Sequence, residues 1–272
     1  SILQARRARR ACERWPCACT LPRPMSDRTR TVRVAAVGDV HCTRASKGHF
    51  QPLLTKMAER ADVLCLCGDL TDYGLREEAI VLAAELASVG KKPVLCVLGN
   101  HDYESGQVEQ VHEVLSEAGA ILLCGEAYET HGVGFAGTKG FGGGFGRHAL
   151  EPWGEGPLKA FVQEALDEAL KLEKALSRLR TEQRIALLHY APIPETVVGE
   201  PAEIFPFLGS SRLEEPINRF PVAAVFLGHA HAGSLEGRTS HGIPVYNVSL
   251  PVFQRRQPGE DAFRIVELLV ED

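Results

Sequence analysis

From residue 31 onward, short aliphatic runs alternate with longer stretches whose apolar positions recur at helical spacing. Residues 31–37, 62–67 and 93–98 are runs of the first kind, bounded by polar or glycine-bearing segments, as buried strands are. Between them, residues 52–60, 77–89 and 108–118 have the period of amphipathic helices. In the second of these, Ile80, Ala83, Ala84 and Ala87 share a face ahead of Gly90, and the third runs into Gly119. Glycine is a common residue just past a helix C-terminus. Strand, loop and helix repeated in this order predict parallel strands joined by crossover helices.

Past residue 120 the rhythm loosens. Residues 120–124 form a short apolar run, and 133–138, 185–188, 222–227, 243–248 and 263–269 read as further strands. Residues 157–183 form the longest helical stretch, with Phe161, Ala165, Ala169, Leu172, Leu176 and Leu179 along one face. That helix is expected on the outside of the fold, with Asp167 and Lys171 paired one turn apart. Residues 139–147 (KGFGGGFGR) carry too much glycine for regular structure and read either as a mobile lid or as an ordinary flexible turn. No linker interrupts the pattern, so residues 25–272 are read as one layered α/β domain.

Residues 1–24 stand apart. They hold six arginines against one glutamate, a net of +5, and lack the apolar stretch of a secretory signal. Met25 is read as the natural start, with residues 1–24 a disordered or non-native extension. The remaining chain carries a net charge of −10. Such a body is a poor match for a polyanion, which argues against nucleic acid as a partner. No run approaches the ~18 consecutive apolar residues of a membrane helix, so no membrane partner is expected. Cys65, Cys67, Cys96 and Cys124 fall in apolar runs. Cysteines packed as small hydrophobes suit a reducing compartment, and a cytoplasmic location is expected.

The chemistry lies just past the strands. Asp39-Val40-His41 follows the first, Gly68-Asp69-Leu70-Thr71-Asp72 the second and Gly99-Asn100-His101-Asp102 the third. His189 and Gly228-His229-Ala230-His231 end two later apolar runs. Ligands of open α/β sheets gather beyond the carboxyl ends of strands, so five segments aim Asp, Asn and His at one crevice. Each segment alone is weak: Asp69 would serve as a helix cap and Asn100 as a turn residue. Together they form a mixed nitrogen and oxygen donor set that suits Mn, Fe, Zn or Ni, with Cys42 left out. Glycines 68, 99 and 228 are expected to admit the backbone close to the ions.

The ordered set D-x-H, G-D-x-x-D, G-N-H-D, H and G-H-x-H, within residues 32–250, resembles the calcineurin-like metallophosphoesterase superfamily. The resemblance implies a four-layer αββα sandwich, two mixed β-sheets flanked by helices. It also implies two divalent or transition metal ions, manganese favoured. Asp39, His41 and His231 match the ligands of one ion; Asn100, His189 and His229 match those of the other, with Asp69 bridging. His101 matches the residue that protonates the leaving oxygen, and Asp102 is expected to orient it as the second catalytic residue. Asp72 is expected to orient a ligating histidine.

The implied function is hydrolysis of phosphodiester or phosphomonoester bonds by a metal-bridging hydroxide. The expected substrate is a small phosphoester, with nucleotides among the candidates. Asp72 stands where purple acid phosphatases carry a ligating tyrosine, and Tyr73 where protein Ser/Thr phosphatases carry arginine. The pattern is closest to the small phosphodiesterases, including class III cyclic-nucleotide enzymes. A metal-dependent nuclease is the alternative within enzymes, and a non-catalytic scaffold on the same fold the alternative outside them. Around the site, Lys139, Arg147, His148 and Arg212 are candidate phosphate contacts, and Tyr190 either stacks on a base or packs.

Overall fold

The computed structural model describes residues 29–271; the expectations for residues 1–24 and for Met25 as the start lie outside them. The chain runs β1 (Thr29–Val37), α1 (Gln51–Arg60), β2 (Val63–Cys67), α2 (Arg76–Leu86), β3 (Val94–Val97), α3 (Val108–Glu117) and β4 (Ala120–Leu122). It continues through β5 (Glu126–Thr130), β6 (Val133–Gly137), α4 (Gly156–Arg178), β7 (Gln183–Leu187), α5 (Phe205–Leu208) and α6 (Glu214–Arg219). The last elements are β8 (Ala224–Leu227), β9 (Glu236–Arg238), β10 (Pro244–Asn247), α7 (Leu250–Arg256) and β11 (Arg264–Glu271).

Two mixed sheets result. The first has the order β11-β1-β2-β3-β4, parallel except where β11 meets β1. The second has the order β5-β6-β7-β8-β10-β9, with antiparallel pairs only at its two edges. Both central strands of the first sheet, VLCLC in β2 and VLCV in β3, are buried throughout. Such strands are apolar on both faces because one face meets helices and the other meets the partner sheet.

Cys65, Val97, Phe135, Leu187 and Phe226 belong to the core between the sheets. Leu54, Met57, Leu82 and Leu115 cover the outer face of the first sheet, and Leu172, Leu176 and Ile217 that of the second. The arrangement is the four-layer αββα sandwich. Among the described residues, no helix is long and apolar enough to cross a membrane.

Several local expectations give way. Helix α4 ends at Arg178, not 183, because Glu129 of β5 takes the backbone N–H groups of Arg180 and Thr181 at 2.5 and 3.0 Å. Its buried face includes Val162 and Glu168 rather than Phe161 and Ala169. Glu168 accepts from Thr138 Oγ1 (2.5 Å) and the Gly140 amide (2.8 Å), and it pairs with Lys171 (2.5 Å). Lys171 is therefore not held by Asp167, which accepts from Gln163. Strand β5 (EAYET) escapes an apolar search because an edge strand keeps little apolar surface. Cys65, Cys67 and Cys96 are buried as expected, whereas Cys124 lies beyond β4 and is exposed. The five cysteines among the described residues are free thiols.

The lid expectation for the glycine-rich segment is also corrected. Gly140, Gly142, Gly143 and Gly144 are buried. The Gly143 and Gly144 amides donate to the Pro206 and Gly209 carbonyls at 2.6 and 2.9 Å. Glycine here serves close packing: a Cβ on Gly142 would stand 2.5 Å from the Pro206 oxygen.

Candidate metal centre

The polar segments that follow β1, β2, β3, β7 and β8 meet at one edge of the sandwich. The loops after β1 and β2 are stitched by backbone: the Asp39 amide donates to the Gly68 carbonyl (2.9 Å) and the His41 amide to the Asp69 carbonyl (3.0 Å). Asp39, His41, Asp69 and His229 all have positive φ, at 54°, 44°, 47° and 69°. Non-glycine residues rarely take this conformation, which costs of order 1–3 kcal/mol each and marks sites over-determined by their surroundings. It turns each chain back sharply at a strand end.

Side chains converge as a result. Asp39, His41, Asp69 and His231 each bring a ligand atom within 4.8 Å of the others, as do Asp69, His189 and His229. Asp69 belongs to both groups: Oδ1 lies 3.4 Å from His189 Nε2, and Oδ2 lies 3.7 Å from His41 Nε2. Three of the sequence-expected glycines make this approach possible. A Cβ at Gly68, Gly99 or Gly228 would fall 2.3, 2.1 or 2.3 Å from His189 Nδ1, Asp69 Oδ1 or Asp39 Oδ2, respectively.

The protons show what the cluster would hold. His189 Nδ1 donates to the Cys67 carbonyl at 3.0 Å, which leaves Nε2 facing the cluster. That nitrogen faces Asn100 Oδ1 at 3.0 Å and Asp69 Oδ1 at 3.4 Å. Nε2, Asn100 Oδ1 and Asp69 Oδ1 thus converge as a mixed nitrogen and oxygen donor set of the kind that holds a metal ion. His229 Nε2 donates to the Phe207 carbonyl at 3.1 Å, so its Nδ1 is free to ligate. His41 Nε2 and His231 Nε2 stand 3.5 Å apart, while Asp72 Oδ1 lies 3.2 Å from His41 Nδ1. The Asp72 contact is not an aligned hydrogen bond: His41 Nδ1 has no hydrogen-bond partner, so the orienting bond expected from Asp72 is not formed. His189 and His229 each offer their second nitrogen to a carbonyl, as ligating histidines commonly do.

Burial pushes the Asp39 carboxyl up, but the hydrogen bond from His231 and the charges of His189 and His231 outweigh it and hold the group below its usual range. Burial, reinforced by the nearby His189 charge, lowers His229 to about 4. Burial likewise lowers His41 against the pull of Asp69 and Asp39. The hydrogen bond to Asp39 raises His231. Cys42 is buried with its thiol pushed up to about 12 by desolvation and the charge of Glu85, so it is a poor ligand.

His101 and Asp102 divide in role. His101 Nδ1 donates to the Asp72 carbonyl at 2.7 Å, which leaves Nε2 available. Burial works against its protonation, but the Asp72 carbonyl and the charges of Asp69 and Glu104 prevail and raise its pKa. The expected Asp102–His101 hydrogen bond is not formed. Asp102 is fully buried and accepts from the Gly99 and Thr71 amides (2.8 Å each), Thr71 Oγ1 (2.6 Å) and the Leu70 amide (3.2 Å). Its carboxylate ties the β2 and β3 loops together, and its pKa of about 6 reflects desolvation opposed by those donors.

Residues 32–233 match the family of calcineurin-like phosphoesterases. The chain belongs to this family. Membership accounts for the metal-ligating residue types at the strand ends and makes the protein a phosphoester hydrolase in general class. No curated protein matches the chain significantly by sequence. Among solved structures, phosphopantetheinyl hydrolase from Mycobacterium tuberculosis superposes with a TM-score of 0.60 at 14% identity, over 86% of this chain and 95% of that one. GAP50, the anchor in the inner membrane complex of Plasmodium, superposes at 0.52 and 12% identity, over 89% and 78%. At these identities the likeness is one of fold.

The other candidate contacts of this calcineurin-like phosphoesterase have partners of their own. Arg212 is tied to the Leu150 carbonyl (2.8 Å) and lies 3.4 Å from Glu151, so it braces a loop. Arg147 is exposed beside His148. Tyr190 is buried, its ring 4.4 Å from that of His229, and it packs behind the ligand. Asn247, hidden in a glycosylation-like triplet, donates from Nδ2 to the Ala230 carbonyl at 2.8 Å and so holds the turn between His229 and His231. The Cys67 and Phe207 carbonyls were equally invisible to a motif search, because backbone acceptors leave no residue signature.

Proposed function

We propose that this protein hydrolyses small phosphoesters, diesters in preference, with two divalent metal ions. Asp39, His41 and His231 hold one ion; Asn100, His189 and His229 hold the other, and Asp69 spans both. The observation that carries this reading is the convergence of His189 Nε2, Asn100 Oδ1 and Asp69 Oδ1 around one point. When bound, such a pair supplies Lewis acidity, an activated water and a clamp on the phosphoryl oxygens. Manganese is the proposed occupant, within a donor set that also suits Fe, Zn and Ni.

The Asp72 carbonyl and the nearby carboxylates favour the protonated His101 ring, which presents Nε2 to the leaving oxygen, the carbonyl fixing its tautomer. Asp69 Oδ1 also accepts from the His101 amide at 2.9 Å, so one carboxylate sets both the ligand position and that of the acid. Asp102 acts through the backbone, holding residues 70, 71 and 99 in register. A hydrolase among the structural neighbours is in keeping with this reading, and the free buried thiols are in keeping with a cytoplasmic site. The presence of every expected ligand position disfavours the scaffold alternative, and the acidic body disfavours the nuclease.

The test is turnover of bis-p-nitrophenyl phosphate against p-nitrophenyl phosphate with Mn²⁺, using His101→Ala and Asp69→Asn as controls. Diester turnover lost in both variants supports the reading. A monoester preference redirects it to phosphatase substrates. No turnover of either ester by metal-loaded protein refutes it.

A further inference from the structure

A cavity of about 340 Å³ opens beside the metal cluster, lined by Leu98, Tyr103, Val108, Leu122, Leu123 and Lys139 among others. Its walls lie at the carboxyl ends of β3, β4 and β6, the same edge of the sandwich that carries the cluster. Leu98 precedes Asn100 by two residues, and Tyr103 shares a 3-10 turn with His101. Lys139 joins the two spaces. Its carbonyl accepts from the His189 and Tyr190 amides at 3.0 Å each, and its ammonium lies 5.6 Å from the Tyr103 ring and 5.3 Å from the Tyr190 ring. Tyr190 in turn packs 4.4 Å from the His229 ring.

The two spaces have opposite chemistry. The cluster is built of carboxylates and imidazoles, whereas Leu98, Val108, Leu122 and Leu123 give the cavity an apolar wall. Water there lacks hydrogen-bonding partners over much of its surroundings, so an apolar occupant gains by displacing it. The Lys139 ammonium donates to the Gly140 carbonyl at 2.9 Å and lies 4.7 Å from the Phe141 ring, so Lys139 meets the cluster through its backbone and the cavity through its side chain.

We infer that this cavity receives an apolar ester arm of the substrate, making the protein selective for phosphoesters of aliphatic alcohols over those of small polar ones. The inference rests on the phosphoester hydrolysis proposed above. Tyr103 and Lys139 form the threshold between the two parts of the substrate. Glu109 and His112, on the α3 side, give the cavity a polar rim.

The experiment uses the full chain loaded with Mn²⁺ and two series of n-alkyl phosphates, monoesters and methyl diesters, from methyl to octyl, followed by phosphorus NMR. Burial of about 0.8 kcal/mol per methylene predicts that kcat/KM rises about fourfold per carbon until the arm outgrows the cavity. Val108→Trp, which fills the cavity, is expected to flatten the series, the octyl-to-methyl ratio of kcat/KM falling to about one. Cys124 also lines the cavity and is exposed, so attaching a hexyl thiol there by disulfide exchange should have the same effect, and Cys124→Ser should abolish that effect.

A flat series with methyl esters still hydrolysed overturns the inference and leaves the phosphoesterase reading standing. If no ester is hydrolysed, that reading fails on its own, and binding decides the cavity. Octyl phosphate should then slow alkylation of Cys124 by N-ethylmaleimide at least fivefold, read on the Cys124 peptide by mass spectrometry. Equal alkylation with and without octyl phosphate overturns the inference.

Discussion

Replacing Gly99 by alanine should disable the centre without unfolding the protein. The φ of Gly99 lies outside the left-handed region, so the alanine backbone is acceptable and the effect is one of space. The new Cβ would stand 2.1 Å from Asp69 Oδ1 and 2.3 Å from the Asp69 amide nitrogen. Relief to an ordinary contact requires a shift of about 1 Å, and displacements of that size cost on the order of 10²-fold in rate. Asp69 Oδ1 cannot move alone, because it holds the His101 amide at 2.9 Å and faces His189 Nε2. Overpacking of this kind costs about 1–3 kcal/mol, which lowers the melting temperature by roughly 3–10 °C for a chain of this size.

The assays are thermal unfolding of metal-free protein, Mn²⁺ titration by calorimetry, and kcat/KM on bis-p-nitrophenyl phosphate. The expected result is a folded variant with weakened metal binding and turnover down by about a hundredfold. Gly156→Ala is the control: nothing lies within 4 Å of its Cβ, and it sits in the first turn of α4. It should be neutral or stabilising by up to about 1 kcal/mol. Gly99→Ala protein with wild-type metal affinity and turnover would refute the argument that close approach at this glycine positions Asp69.

Further outcomes follow from the same contacts. Asp102→Ala should cost about 3 kcal/mol or more, since it strands buried donors at residues 71 and 99. Asp102→Asn should leave the pH limb assigned to His101 in place, because the Asp72 carbonyl holds that ring; a shifted limb in the pH–rate profile would restore the Asp102–His101 pairing. In metal-free protein, His229 is lowered to about 4 in the fold against 6.5 unfolded, so the unfolded chain takes the proton first. Its contribution is present above pH 6.5 and is lost as pH falls toward about 4, by at most about 3 kcal/mol; His229→Asn should flatten urea-derived stability over that window. Mn²⁺ at a hundred times its Kd should stabilise the wild-type fold by about 2.7 kcal/mol, and excess chelator should reverse the rise in melting temperature.

The strands and helices of the first sheet were legible because parallel, doubly buried strands leave unbroken apolar runs. Val63–Cys67 and Val94–Val97 fall inside the runs read from sequence alone. The edges were not legible. β5 and β9 pair on one side only, and their sequences EAYET and EGR carry little of the apolar signal a pattern search needs. Helix α4 was legible in kind but not in its buried face, because a hydrophobic pattern has no place for Glu168, a buried carboxylate held by Thr138, Gly140 and Lys171.

Motif order picked out Asp, Asn and His side chains that the fold brings together, since donor types and their positions after strands are written in the chain itself. Who holds whom was not written there. The pairing of His101 with a backbone carbonyl, the burial of Asp102 among amides and the bracing of Arg212 against the Leu150 carbonyl all depend on backbone atoms, which carry no residue identity. The sequence by itself determined the family and the strand-end placement of the candidate donors. Only the tertiary structure decided tautomers, partners and the apolar cavity beside the cluster, because these arise where segments far apart in the chain come within a hydrogen bond's reach.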